Sequence, residues 1–449
     1  MRVVEIRDLD GPNIFLLEPA IKLEVDLEDD DESVIIERVR SLVESNEQEV
    51  GPALIAAIDA LHERAGLDAP TSLLAPLEVE NHVAVAFGWS HRQAACLIAE
   101  TIGAALEGDT VDFDLNIAKI TDAASNADPE DRPQYMRNDE RRVLAIGITG
   151  TNGKTTTTRL IAHIAQVAGF HPGWCSTSGV YIDGVEVLNG DYTGPSGARR
   201  VFSDPSVDLA VLETARGGIL LRGLGYESND VSVFTNVSAD HLGLLGIETV
   251  EGLAQVKSTV IAVTRPDGYC VLNARDPLVW ESRSATRATI VAIASDASLP
   301  QVVAHLAEGH PAVVVEDSAI VSVSWNRRIE ITTLDRVPIT FGGRAEHMVE
   351  NALCAAAACL SLGIRPEDIA RGLESFRSGA DQNPGRLNVY RLNGVTVVLD
   401  YAHNEAGLVH LLAHGRAFAA ERSGRLYAVI GSAGDRTDDA LRMLGQTSV

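Results

Sequence analysis

Apolar residues recur along this chain with two periods, and the switch between them marks out its elements. Short runs at Val3–Ile6, Ile14–Leu17 and Ile21–Val25 have strand length, while Ser33–Val43, Ala53–Ala65 and Ser90–Leu106 repeat apolar residues at helical spacing. Ser90 is placed to cap the last of these helices. These elements predict a small α/β domain over 1–124. Ser125–Arg142 loses the periodicity, carries Pro129 and Pro133, and reads as a linker over 125–142.

From Val143 the pattern becomes strongly apolar. Val143–Ile148 is a strand, and after a glycine turn Leu160, Ile161, Ile164 and Val167 fall on one helix face. Tyr181–Gly197 is rich in turn residues. Further strands are expected at Asp208–Glu213, Val231–Thr235, Gly268–Leu272 and Thr289–Ala294, with a hairpin from Ile320–Trp325 and Arg328–Thr333 around Asn326-Arg327. His347–Leu360 is an alanine-rich helix, and Arg377–Asn383 a polar break. Strands alternating with helices predict a parallel-type sheet over 143–380. A last α/β domain over 384–449 has strands expected at Val395–Asp400 and Leu426–Ile430. An independent domain needs roughly 100 residues, so this one is expected to be cut short.

Composition narrows the class. With 45% hydrophobic and 22% charged residues the chain reads as soluble and globular, and no apolar run reaches membrane-spanning length. Met1–Gly11 lacks an apolar signal core. Five scattered cysteines without a C-x-x-C pair suit reduced thiols in a cytoplasmic protein. A net charge of −26 argues against a nucleic-acid partner. The acidic run Glu28-Asp29-Asp30-Asp31-Glu32 reads as a solvated loop.

The chemistry concentrates after the first apolar strand. Gly150-Thr151-Asn152-Gly153-Lys154-Thr155 joins that strand to a helix N-terminus, where backbone N–H groups and the helix dipole cradle phosphate. Lys154 is positioned for the β/γ-phosphates and the Thr155 hydroxyl for Mg²⁺. Ile148 stands where the strict G-x-x-x-x-G-K-[ST] pattern has glycine, and Gly150 makes the turn. Glu213, Asp240 and His241 follow strands that feed the same sheet edge, where ligands of open parallel sheets bind.

These phrases, with TGPSGA, VLETARGGILLRGL, NVSADHLGLLGI, GYCVLNARDP, PGRLN and LDYAHNEAG, resemble the Mur ligase family, and within it the Mur-like half of cyanophycin synthetases. The resemblance runs from about Val143 to the last residue; Gly11-Pro12-Asn13 adds a weaker match. It implies a P-loop central domain with a parallel-type sheet, a small α/β N-terminal domain and a truncated Rossmann-like C-terminal domain. It also implies an ATP-dependent amide ligase. A carboxylate takes the γ-phosphate to form an acyl phosphate, and an amine displaces phosphate, leaving ADP and Pi.

Carried over by position, Gly150, Thr151, Asn152, Gly153, Lys154, Thr155 and Thr156 bind the phosphates. Thr155, Glu213, His241 and Lys257 hold Mg²⁺, Lys257 as a carbamate. His347 and Asn351 serve the adenine side, and Arg386 and Asp400 close over the nucleotide. Lys154, Lys257, His241 and Arg386 are the catalytic set. The implied partners are a small-molecule or peptide carboxylate and an amine such as arginine; the oligomeric state stays open. The sequence departs from the family pattern at Met348, at Arg275, and in having no ATP-grasp domain between the linker and the phosphate loop. An Asp–Arg polymer is therefore not expected from the free amino acids. A P-loop ATPase or kinase, and a non-catalytic nucleotide-binding relative, remain the competing readings.

Overall fold

The computed structural model describes residues 2–448 apart from 28–31, 43–46, 48, 76, 78, 80, 127, 241, 325–326, 422 and 433–437. Most of the acidic run, the hairpin residue Asn326, His241, and the Gly434-Asp435-Arg436 turn therefore lie outside the described residues. The chain divides into two compact units. The smaller takes residues up to Glu140 with Gly217–Glu227, and the larger takes Arg141–Arg216 with Ser228 onward.

The smaller unit has an antiparallel sheet in the order β1 (Arg2–Leu9), β2 (Ala20–Asp26), β4 (His82–Gly88), β3 (Ser72–Ala75). Helices α1 (Glu32–Leu42), α2 (Val50–Arg64), α3 (Arg92–Glu107) and α4 (Phe113–Ala124) complete it. Alternate residues Ile21, Leu23, Val25, Val85 and Phe87 share a core with the helices, as period-two strands require. Neither β3, β4 nor α4 was expected from the apolar pattern. Ile14–Leu17 is a turn, not a strand, because the buried Asn13 side chain dictates it. Its Oδ1 accepts the Phe15 and Leu16 N–H groups, and its Nδ2 donates to the Gly11 and Glu18 carbonyls. Gly11 lies so close to the Leu224 carbonyl that a Cβ would approach within 2.0 Å.

The larger unit is built on an eleven-stranded sheet. Seven strands form its parallel centre: β6 (Pro172–Ser176), β9 (Leu209–Glu213), β5 (Leu144–Thr149), β10 (Asn229–Phe234), β11 (Thr264–Asn273), β12 (Thr289–Ala294) and β13 (Ala312–Glu316). Antiparallel pairs extend both edges, β7 (Gly179–Ile182) with β8 (Val185–Asn189), and β14 (Ala319–Ser324) with β15 (Arg327–Thr333). The sheet is thus mixed, and the turn-rich stretch Tyr181–Gly197 contains most of the β7–β8 hairpin and starts a helix. Its turn residues mark the reversal at Asp183-Gly184, between runs too short to show a period.

Helices α5 (Lys154–Val167), α6 (Pro195–Phe202), α8 (Val250–Ala262), α9 (Pro277–Glu281), α10 (Pro300–Ala307), α11 (Glu346–Ser361) and α12 (Pro366–Ser375) accompany the larger unit's strands, while α7 (Arg216–Arg222) falls, but for Arg216, in the smaller unit. One core joins α5, α11 and α12 to the sheet, with Ala352 and Ala355–Ala358 letting the α11 backbone approach closely. The order places β5 between β9 and β10, so the chain crosses from one side of β5 to the other. That crossing opens a crevice at the strands' carboxyl ends.

After Arg386 come the hairpin β16 (Asn388–Leu392) with β17 (Val395–Leu399), then α13 (Glu405–Glu421) and α14 (Asp438–Thr447). The expected strand at Leu426–Ile430 is not formed. An apolar run becomes a strand only where a neighbour takes its ladder bonds. Among the described residues none pairs with this one, and Tyr427 is 81% exposed.

Candidate active site

The crevice is floored by the turn between β5 and α5. Gly150, at φ +147°, and Gly153, at φ +87°, hold conformations that side chains rarely adopt. Space enforces the same choice: a Cβ on Gly150 would fall 1.9 Å from Thr235 Oγ1, and one on Gly153 2.2 Å from Asn351 Oδ1. The turn is tied to the end of β10. Thr151 N–H donates to the Asn236 carbonyl (2.8 Å) and Asn152 N–H to Asn236 Oδ1 (2.9 Å). Thr235 Oγ1 and Asn236 Nδ2 both donate to the Asn152 carbonyl. Asn236 was not among the expected site residues, although it directly precedes the NVSADH phrase's first valine.

Three charged groups converge here. Lys154 Nζ donates to the Gly150 and Thr151 carbonyls at 3.0 and 2.9 Å. Lys257, on α8, donates to the same Gly150 carbonyl at 2.7 Å. Glu213 closes β9 and accepts from Thr155 Oγ1 at 3.1 Å. Burial pushes both lysines below the usual ammonium range, Lys257 far below, and each also feels a neighbouring cation. Burial raises the Glu213 carboxyl, with Lys154 and Arg386 pulling the other way.

Glu213 and the Thr155 hydroxyl fit a hard divalent cation. Glu213 is 1% exposed and its Oε2 is buried without a hydrogen-bond partner, a costly arrangement that a cation would relieve. Among the described residues no group of three or more His, Cys, Asp or Glu side chains is arranged to hold a metal. His241, expected as a ligand, lies outside the described residues; its neighbour Asp240 faces Lys154 and Lys257 electrostatically.

The segment after Asn383 supplies the other wall. Arg386 reaches Thr155 Oγ1 at 3.4 Å and lies over the Tyr401 ring, 4.9 Å from its centroid. His403 Nε2 is 3.9 Å from Asp240 Oδ2. Asp400 lines the groove, but both its oxygens also hold backbone, accepting from Leu387 N–H (2.7 Å) and Ala402 N–H (2.8 Å). Asn383, fully buried, donates to Thr156 Oγ1 and accepts from Arg159. The polar break there is exposed or half-buried up to Gln382 and is anchored at its last residue, Asn383.

His347 and Asn351 stand one turn apart on α11 beside Gly153 and Thr156. The two departures near them have visible roles. Met348 is buried with Ala345 and Leu387, against Val398 and Leu411. Arg275 forms ion pairs with Glu346 and, at 3.7 Å, Glu350 at the start of α11. His347 faces His410 of α13 at 5.1 Å between ring centroids, and burial with His410 and His414 nearby pushes its pKa down to about 3.

Residues 148–359 match the Mur ligase middle domain, and 385–448 match the Mur ligase glutamate ligase domain. The chain belongs to the Mur ligase family. It is 43% identical to a cyanophycin synthetase of Nostoc over 307 residues, 68% of this chain and 34% of that protein. It therefore spans about a third of the length of the curated cyanophycin synthetase relatives it matches. It is 30% identical to the UDP-N-acetylmuramoyl-L-alanyl-D-glutamate–2,6-diaminopimelate ligase of Geobacter metallireducens, over 68% of this chain and 57% of that one. The solved structure of E. coli FolC in complex with DHPP and ADP superposes with a TM-score of 0.50 at 21% identity, covering 68% of this chain and 72% of that one. That last likeness supports the Mur-type α/β fold. No helix among the described residues is long and apolar enough to cross a membrane.

Proposed function

We propose that this chain is an ATP-dependent carboxylate–amine ligase. The observation that carries the reading is the convergence of Lys154, Thr155, Glu213, Lys257 and Arg386 around one phosphate-type turn. Lys154 neutralises the transferring phosphate, and the backbone N–H groups at the start of α5 hold the others. Thr155 and Glu213, with His241, would hold Mg²⁺, which supplies charge stabilisation at the phosphate oxygens. Buried beside Lys154, Lys257 favours its neutral amine, the form that takes up CO₂ to become a carbamate. His347 and Asn351 flank the adenine side, and Asp400 shapes the closing wall near the ribose. The substrate carboxylate attacks the γ-phosphate, the acyl phosphate forms, and an amine displaces Pi.

The cyanophycin synthetase relatives favour an amino acid such as arginine as the amine and a peptide carboxylate as acceptor, in a cytoplasmic setting. A screen of amino acids and Asp-containing peptides for ATP-dependent Pi release tests the reading. Release should require both an amine and a carboxylate, and should rise with bicarbonate. Release that needs neither would mark a plain ATPase and overturn it.

A further inference from the structure

Asn152 and Asn404 face each other as a reciprocal amide pair. Asn152 Nδ2 donates to Asn404 Oδ1 at 3.2 Å, and Asn404 Nδ2 donates to Asn152 Oδ1 at 3.1 Å. The two residues lie 252 positions apart, one inside the phosphate turn and the other where α13 begins. Neither amide is loosely placed. The Asn152 backbone is fastened at N–H and carbonyl by Thr235 and Asn236, so its side chain is aimed by the loop. Asn404 Oδ1 also accepts Gly407 N–H at 2.9 Å, so its side chain is aimed by the first turn of α13.

We infer that Asn404 is a positioning residue that couples the seating of α13 to the phosphate turn through this amide clasp. The inference rests on the nucleotide-binding reading above. Other contacts across the groove, Arg386 with Thr155 and His403 with Asp240, involve a charge. The amide pair is neutral and two-point, so it fixes orientation without adding charge beside the phosphates. It is also direct: no residue intervenes between the start of α13 and the turn that leads into α5.

Asn404→Ser separates the clasp from the cap, because serine still accepts Gly407 N–H while both amide bonds are lost. Asn152→Ser removes the same bonds from the other side. Hydrogen exchange of the full chain, with and without Mg·ATP, reads the coupling. In the unaltered chain Mg·ATP should slow exchange of Leu408–Leu412 about tenfold. Each single variant should abolish that slowing while melting as before, and the double variant should behave like either single. A cap-only role would instead lower the melting point of Asn404→Ala and leave the Mg·ATP effect in Asn404→Ser intact. Retained slowing in Asn404→Ser, or additive effects in the double variant, overturns the clasp. Failure of the unaltered chain to bind Mg·ATP overturns the nucleotide-binding reading and the coupling with it.

Discussion

Two apolar strands followed by polar turns, β5 with its phosphate loop and β17 with the Asp400 turn, have opposite surroundings. In β5, Ala145, Ile146 and Ile148 are fully buried between parallel neighbours on both sides. In β17, Val395, Val397 and Leu399 are 60%, 43% and 53% exposed, and among the described residues the ladder runs to β16 alone. The sequences look equally strand-like. The difference teaches that an apolar run specifies extended backbone, while neighbours decide how much stability it contributes. A buried strand end can hold a rigid, strained turn such as Gly150–Gly153. The two-stranded hairpin relies on local contacts, with Leu387 and Val398 as its links to α11.

The sharpest way to break the contrast is at the loop itself. Lys154→Ala should lower ATP turnover by about 10³-fold, since the γ-phosphate charge is then uncompensated. Wild-type Pi release from the folded variant would remove the loop from the chemistry. Lys154 also bridges two carbonyls, so a modest drop in melting temperature is expected beside the kinetic loss. Gly150→Ala should destabilise by about 3 kcal/mol, because it combines a positive φ with a clash on Thr235. Urea titration measures this, and an unchanged midpoint would show that the loop relaxes freely.

A matched pair tests the strands. Ile146→Ala should cost about 3 kcal/mol, whereas Val395→Ala should stay within about 0.5 kcal/mol. Equal losses in denaturant melts would mean that the β17 face is covered in solution. A further test concerns acid. His347 has its pKa pushed from 6.5 to about 3, and burial lowers those of His410 and His414. Below pH 6.5 the unfolded chain binds protons that the native site refuses, so stability should fall as pH drops from 6.5 toward 3. Histidine-to-glutamine at 347 should flatten that part of the pH–stability curve; an unaltered slope would exclude it as the source.

The legible features of the sequence were local ones. Strand, glycine turn, lysine and helix lie within 27 residues of Val143, and the motif read there is the turn that forms, with Glu213 and Lys257 delivered to it by long apolar strands and helices. Where the sequence was misread, a side chain or a missing neighbour intervened. Asn13 converts Ile14–Leu17 into a turn, and among the described residues no strand pairs with Leu426–Ile430. β3 escaped notice because its four residues are too few to fix a period, whereas α4 carries Phe113, Ile117, Ile120 and Ala124 at helical spacing and was legible.

Composition and motif by themselves determined the α/β class, the phosphate turn and the family to which it belongs, because each depends on residues adjacent in the chain or at fixed spacing. Tertiary structure alone decided the meeting of Lys257 with Lys154 at the Gly150 carbonyl and the pairing of Asn152 with Asn404. Lys257 lies 107 positions from Gly150, and Asn404 lies 252 from Asn152. No local pattern encodes them; they exist because β5 lies between β9 and β10, and that order brings distant loops to one edge.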